Sequence, residues 1–380
     1  MVPVTNRTGL LLLLALAGAG TLPAQAPQGP IQPRPGQAVQ QAPPGAQVTV
    51  KVALVNTPVT VRDAKGNLVD TLTAADFRVT DNGVAQKIAH FDFGGDPVSL
   101  VILVQTSSRI ESILPDIRKT GVLFTQNVMA ADGEAALVGF NDGVDKLQDF
   151  TKNPDLIENT VAHLQAGSSG SRLYDAMAVA VEMLSGRPQP SADKPGRRRV
   201  LLVLSETVDE GSETKLGEVL RQAQLANVTI YSVGLSTLRS ELHSKPRHTQ
   251  PEPSTPPGIN PLPPLPGIIQ TPETEAARNQ GVDLMGAAIW AVQHADEKVK
   301  DKAMDIAAVA TGGMHLSTYK DQSIEQAIDE IGAELHSQYT ITYAPSAGSD
   351  LGYHEIKVLV DRKKLTVRAR PGYYVAPPQG

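Results

Sequence analysis

The chain has 380 residues, of which 34 are basic and 40 are acidic, so its formal net charge is −6. This acidic balance argues against a general nucleic-acid-binding protein, which would carry a basic excess or a basic patch. The chain has no cysteine, which excludes disulfides, thiolate zinc sites, iron–sulfur clusters and cysteine nucleophiles.

The first 26 residues have the three parts of a secretory signal. Arg7 provides a basic start, residues 10–19 form a short apolar run, and Ala24-Gln25-Ala26 is a cleavage site of the A-x-A type. The apolar run is too short to span a bilayer as a helix. We therefore expect a signal peptide over residues 1–26, an exported protein that is periplasmic or secreted, and no membrane span after cleavage. An uncleaved membrane anchor is the alternative.

A proline-rich linker and a β segment follow the signal. Residues 27–46 contain six prolines among Gln and Gly, which is typical of a flexible or polyproline spacer. Residues 47–94 are rich in alternating β-branched residues, with turn signals at residues 63–67 and 81–83. This pattern predicts an N-terminal β segment of hairpin type over residues 47–94.

Residues 95–336 alternate between apolar strands and helical patterns. Continuous apolar runs at residues 98–104, 200–204 and 228–233 are typical of strands that are buried on both faces of a parallel sheet. The alternation predicts an α/β domain with a doubly wound, mostly parallel, Rossmann-like sheet. The three arginines at residues 197–199, directly before the second of these strands, are interpreted as a solvated loop.

A proline-rich insertion interrupts this domain at about residues 243–275. Ten prolines fall within the 27 residues from Pro246 to Pro272, a density that no helix or central strand tolerates. We interpret the insertion either as a plain flexible loop or as a docking segment for the aromatic groove of a partner.

Strand-like alternation returns in a C-terminal β segment over residues 337–376. Isolated hairpins are only marginally stable in water. We therefore expect this segment to pair with residues 47–94 and to form a sandwich-like unit beside the α/β domain.

Three polar loops lie where an open α/β sheet binds its ligands, which is beyond the carboxyl ends of the strands. Residues 105–109 follow the first apolar strand, residues 167–171 precede a helical pattern, and residues 205–209 follow the strand at 200–204. We expect any functional site at this edge of the sheet. The candidate residues are Gln105, Ser107, Arg109, Ser171, Glu206 and Asp209.

Three groups of motifs together point to one protein family. They are Val59-Thr60-Val61-Arg62-Asp63 with Asp76-Phe77-Arg78-Val79, Ser171-Arg172-Leu173-Tyr174-Asp175-Ala176, and Gln338-Tyr339-Thr340-Ile341-Thr342-Tyr343 with Arg370-Pro371-Gly372-Tyr373-Tyr374. With these motifs the chain resembles the von Willebrand factor type A (VWA) domains of an exported bacterial "VWFA-related" family. The resemblance covers nearly the whole chain after the signal, and it implies a VWA core that binds partners rather than turning over a substrate.

The same resemblance implies a position for a divalent metal. Such domains hold Mg²⁺ with a D-x-S-x-S pattern after the first strand, a Thr from the second loop and an Asp from the third, and hard oxygen ligands suit this ion. In this chain Gln105 stands in place of the Asp, Arg109 replaces the second Ser, and Ser107 is kept. Ser171 replaces the Thr, and Glu206 replaces the later Asp.

Arg109 leads us to expect that this site holds no metal. A divalent ion ~4 Å from its guanidinium would experience roughly 8 kcal/mol of repulsion at an effective dielectric constant near 20. Glu206 is the expected counter-ion in a bidentate pair, with Ser107 and Ser171 supplying hydrogen bonds. Three interpretations stay open: an ion pair that closes the loops, an Arg109 that takes an acidic side chain from a partner, and a solvent-facing Arg109 beside a weak metal held by Ser107, Ser171 and Glu206.

The function expected from these observations is a non-catalytic protein-interaction module of the cell envelope or the secreted fraction, without a cofactor. The alternative is a Mg²⁺-dependent adhesion domain of the same fold, and an enzyme of unknown type is the third hypothesis. No G-x-G-x-x-G opens the first helix, and the motifs G-x-x-x-x-G-K-[ST] and G-x-S-x-G do not occur. The sequence therefore does not indicate a nucleotide-binding enzyme or a serine hydrolase.

Overall fold

The computed structural model describes residues 54–94, 96–129, 132–188, 197–235, 284–294, 302–318, 323–345 and 351–375. The predicted signal peptide, the predicted linker and the proline-rich insertion lie outside these residues. All described residues belong to one structural unit, which spans Lys51–Gly380.

Six strands form the central sheet of this unit. They are β5 (Val98–Gln105), β6 (Glu134–Phe140), β7 (Val144–Thr151), β8 (Arg198–Ser205), β9 (Val228–Gly234) and β10 (His315–Ser317). Their order across the sheet is β10-β9-β8-β5-β6-β7, and every neighbouring pair is parallel except β6 with β7. Every residue of β5, β6, β8 and β9 is buried, which explains why these strands are nearly continuous apolar runs.

Helices cover both faces of this sheet. They are α1 (Leu114–Lys119), α2 (Gly121–Leu123), α3 (Pro154–Ala162), α4 (Leu173–Ser185), α5 (Leu216–Leu225), α6 (Leu284–Gln293), α7 (Ala303–Thr311) and α8 (Ile324–His336). One apolar cluster packs helices α4, α5, α6 and α7 against one face of the sheet. A second apolar cluster packs α1, α3 and α8 against the other face. The doubly wound α/β fold is therefore confirmed. Within the described ranges no helix is long and apolar enough to cross a membrane.

The edge strand β7 was not expected from the sequence. Its charged side chains alternate without a strong apolar period, and most of its residues are exposed or half-buried. A tight turn connects it to β6, because Asn141 N donates to the carbonyl of Gly143 at 3.0 Å. The pairing is antiparallel, so this short turn is sufficient to return the chain along the edge.

Two four-stranded antiparallel sheets form the flanking unit. Their strands are β1 (Val55–Asp63), β2 (Phe77–Asp81), β3 (Val84–Gln86), β4 (Ile88–Phe93), β11 (Tyr339–Tyr343), β12 (Gly352–Val360), β13 (Leu365–Ala369) and β14 (Gly372–Val375). The orders are β13-β1-β11-β4 and β14-β12-β2-β3, and a shared apolar cluster includes residues of both sheets. Because each sheet pairs N-terminal with C-terminal strands, the predicted sandwich-like unit built from both ends of the chain is confirmed.

The arginines at residues 197–199 do not form a solvated loop. Arg198 and Arg199 lie in β8 and are 7% and 4% exposed. Arg199 donates to the carbonyls of Ala226 and Ser185, at 2.6 and 2.9 Å, and to that of Arg187. These carbonyls lie at or just beyond the C-terminal ends of α4 and α5, where main-chain acceptors lack helical partners. Arg199 therefore caps the C-terminal ends of α4 and α5 from a buried position.

Candidate functional site

Main-chain hydrogen bonds hold the first and second loops together at the carboxyl edge of the sheet. Thr106 N donates to the carbonyl of Phe140 at 2.7 Å, and Gly167 N donates to the carbonyl of Thr106 at 2.6 Å. Two residues further along the first loop, Ser108 N donates to the carbonyl of Ser168 at 3.0 Å. These bonds bring the predicted loops side by side before any side chain contributes.

Gln105 connects the first loop to the third. Its side-chain oxygen accepts from the main-chain N–H of Glu206 at 2.9 Å, and its Nε2 donates to Ser107 Oγ at 2.7 Å. The same Nε2 lies 3.3 Å from Glu206 Oε2. Gln105 is the last residue of β5 and is fully buried, so its amide satisfies polar groups of both loops away from the surface.

Arg109 lies between two carboxylates of the third loop. Its Nε is 3.0 Å from Glu206 Oε2, and its Nη1 is 2.9 Å from Glu210 Oε1. The three side chains differ in exposure, at 30% for Arg109, 5% for Glu206 and 56% for Glu210. Burial alone would lower the pKa of Arg109, but Glu210 and Glu206 outweigh it and raise that pKa above its ordinary value. The guanidinium is therefore a permanent charge that joins the first loop to the third.

The predicted pair of Arg109 and Glu206 extends to a second carboxylate. Arg109 contacts both Glu206 and Glu210. Sequence reasoning missed Glu210. The available signal in the sequence was that Glu210 is the residue directly after the predicted loop 205–209.

Ser171 and Asp209 lie near this pair but make other contacts. Ser171 Oγ donates to the carbonyl of Val208 at 2.6 Å, so the expected hydrogen bond from Ser171 to the ion pair is not made. Asp209 Oδ1 accepts from Ser212 Oγ at 2.6 Å and from the N–H of Tyr174 at 3.1 Å. Asp209 therefore caps the first turn of α4, and Ser171 fastens the second loop to the third.

The donor set at this edge does not fit a divalent cation. The Nε of Arg109 lies 3.0 Å from Glu206 Oε2, and the amide of Gln105 donates to Ser107. Within the described part of the chain, no three His, Asp or Glu side chains are grouped so that they could hold a metal ion. Any ion at this position would have to displace Arg109 and face its charge.

No protein-family model matches this chain, and no curated protein matches its sequence. Solved structures to which it is similar include VWA domains, the family that its motifs resemble. An aerotolerance-related membrane protein from Bacteroides fragilis, with serine substitutions, has 10% identity and a TM-score of 0.38 over 63% of this chain and 98% of its own.

Two further solved structures are of the same kind. BatB from Bacteroides thetaiotaomicron, a conserved hypothetical protein, has 12% identity and a TM-score of 0.38 over 63% of this chain and 98% of its own. A von Willebrand factor type A protein from Catenulispora acidiphila has 10% identity and a TM-score of 0.39 over 84% of this chain and 63% of its own. At these values the matches say nothing of activity, ligand or partner.

Proposed function

We propose that this chain is a non-catalytic protein-interaction module with a VWA core, exported to the cell envelope or the medium. Its loop edge is closed by an arginine rather than by a metal ion. One observation carries this proposal, which is the position of Arg109 between Glu206 and Glu210, with 3.0 and 2.9 Å to the two carboxylates. The interaction role itself rests on the family that the sequence motifs resemble.

The charges at the site favour loop closure over capture of an acidic partner. Arg109 faces two carboxylates, so the three side chains together carry a net charge of −1 at neutral pH. A partner's carboxylate would have to displace Glu206, which is 5% exposed and would then be left buried without its counter-ion. We therefore assign Arg109 to holding the loops in place, and we expect the partner to contact the surface around them.

The hydroxyl groups at this edge support a non-catalytic role. Ser107 accepts a hydrogen bond from Gln105, and Ser171 donates to a main-chain carbonyl. A serine nucleophile needs a general base that accepts its proton, and neither of these contacts supplies one. A Mg²⁺-dependent adhesion domain is the remaining alternative, and the charge of Arg109, 3.0 Å from Glu206, argues against it.

Two measurements test this proposal. Calorimetric titration of the wild-type chain with Mg²⁺ and with Mn²⁺ should give no binding heat at micromolar strength; saturable binding in that range would contradict the metal-free site. A pull-down from the envelope fraction should retain the same partners with and without a chelator.

Matched variants connect the pull-down to the loop edge. Arg109→Ala should weaken the retention of a specific partner, because the loops lose their link. Arg78→Ala is the control, since it breaks an exposed ion pair with Asp361 at 2.8 Å in the sandwich. A partner lost equally from both variants, or from neither, would contradict the assignment of this edge.

A further inference from the structure

A small cavity lies at the opposite edge of the central sheet, where β8 and β9 begin against the sandwich strands β1 and β11. Its volume is about 20 Å³. Four arginines line it, and none of the described residues that line it is Asp or Glu. These arginines are Arg197, Arg198, Arg199 and Arg370. This composition is unusual for a buried space, because buried charges are normally paired.

Arg370 is the most isolated of these charges. It opens the Arg370-Pro371-Gly372-Tyr373-Tyr374 motif and is 4% exposed. Its Nη1 donates to Asn227 Oδ1 at 2.9 Å, and its guanidinium lies 5.8 Å from the centre of the Tyr373 ring. No carboxylate of the described residues forms an ion pair with it, and its Nε has no hydrogen-bond partner among them. Neither an amide oxygen nor a ring neutralises a buried cation.

Two other arginines of the lining also have a buried N–H group without a hydrogen-bond acceptor. Arg198 Nη2 and Arg199 Nε are buried, and neither has a hydrogen-bond partner among the described residues. Their other donors bind main-chain carbonyls, including that of Leu335 for Arg198 and that of Ala226 for Arg199. Arg198 and Arg199 are consecutive residues of β8, so their side chains leave the sheet on opposite faces and do not converge on one point. Arg370 is therefore the cation of the lining that is left without a counter-charge. Buried donors without a partner are rare in folded proteins and call for a ligand or a water.

The charges persist at neutral pH. Burial lowers the pKa of Arg370 to about 10 and that of Arg199 to about 10. Both values stay well above 7, so both groups remain protonated and their charge remains in the interior. An anion beside them would oppose this effect of burial, because a nearby opposite charge favours the charged form.

We propose that this cavity binds one small monatomic anion of the size of chloride, which would neutralise Arg370 between the sheet and the sandwich. A water molecule needs roughly 10–15 Å³ of such space, so a volume of about 20 Å³ suits one compact ion. A water could accept two of the hydrogen bonds but would leave the charge uncompensated. The proposal is independent of the proposed function, because the cavity lies at the other end of the strands.

The melting temperature of the purified chain in different salts tests this inference. At equal ionic strength we expect a melting temperature about 2–4 °C higher in sodium chloride than in sodium gluconate, whose anion is too large for the cavity. The difference should saturate with chloride concentration, as binding does and general screening does not. Bromide should replace chloride in the same assay.

Two variants connect this effect to the cavity. Arg370→Met should abolish the difference between chloride and gluconate. Arg118→Met is the matched control, because Arg118 also donates to a main-chain carbonyl, that of Leu164, but does not line the cavity. This variant should keep the full chloride effect.

A measurement on the wild-type chain removes the dependence on the folding of variants. Crystals soaked in sodium bromide should show an anomalous peak beside Arg370. Equal melting temperatures in chloride and gluconate at every concentration, or a cavity that contains only water in bromide-soaked crystals, would overturn the proposal. A chloride effect that persists in Arg370→Met would overturn it as well.

Discussion

Arg62 of β1 contacts Glu334 of α8, with 3.2 Å between Arg62 Nη2 and Glu334 Oε2. The carboxylate is completely buried, and its other oxygen pairs with Arg368 of β13. The same oxygen accepts a hydrogen bond from the hydroxyl of Tyr231 at 3.0 Å. A single carboxylate therefore connects helix α8, the central sheet and two strands of the sandwich.

Glu334→Ala should lower the free energy of unfolding by about 2–4 kcal/mol. The substitution leaves Arg62 and Arg368 without their buried partner, and the partial exposure of both arginines keeps the loss below that of a fully buried pair. Urea denaturation at neutral pH measures it. Asp361→Ala, which breaks an exposed pair with Arg78, should change stability by less than about 1 kcal/mol. Equal losses in the two variants would contradict the role of Glu334.

Combining Gln105→Asp with Arg109→Ser should create a metal site. The double variant removes the guanidinium and restores a carboxylate beside Ser107 and Glu206, so hard oxygen ligands converge without an opposing charge. We expect Mn²⁺ binding by calorimetry where the wild-type chain gives none. Arg109→Ser alone is the control, and it should bind more weakly because it lacks the new carboxylate. The absence of binding in the double variant, with its fold intact, would show that the loops are not arranged for a metal.

Arg199→Met should destabilise the chain by about 2–4 kcal/mol. The side chain donates to three main-chain carbonyls at the ends of α4 and α5, and these acceptors, of which that of Ala226 is buried, would lose their donor. Arg221→Met is a suitable comparison, because Arg221 donates to the carbonyls of Val292 and Gln293 from a less buried position. Chemical denaturation should show a larger loss of stability for Arg199→Met than for Arg221→Met. The reverse order would mean that burial does not control the effect.

Glu134 should contribute to stability in a pH-dependent manner. Burial raises its pKa, but hydrogen bonds from Ser99 and Arg187 and the charge of Arg197 prevail and hold that pKa below its ordinary value of 4.5. A carboxylate whose pKa is lower in the folded chain than in the unfolded chain stabilises the fold above the unfolded value. That contribution is lost as the pH falls through the folded value.

The glutamine variant isolates this contribution. Urea midpoints of the wild-type chain should therefore decrease below about pH 4.5, and those of Glu134→Gln should decrease less steeply over the same range. Glu182→Gln, a change at an exposed position of α4, should follow the wild-type profile. Parallel profiles for the wild-type chain and Glu134→Gln would show that Glu134 is not responsible.

Local patterns predicted most of the fold. The apolar strands β5, β8 and β9 were identified because strands buried on both faces have few polar residues. The Asn82-Gly83 pair predicts a tight turn because such a pair tolerates positive φ, and the two residues adopt φ values of 46° and 80°. By contrast, residues 110–129 have the apolar period of one helix, but the structure breaks them into short helical pieces, which the period alone does not reveal.

The loops of the candidate site could be located in the same way, but their contacts could not. Parallel strands end at a common edge, so the order of elements alone brings Arg109 near Glu206. Three contacts depend on how segments that are distant in sequence pack against each other. They are the contact of Arg109 with Glu210 in addition to Glu206, the hydrogen bond from Ser171 to Val208, and the burial of Arg199 at two helix ends. Periodicity records which side of an element is buried, whereas the partner of a long polar side chain is chosen only when that packing brings donors and acceptors together.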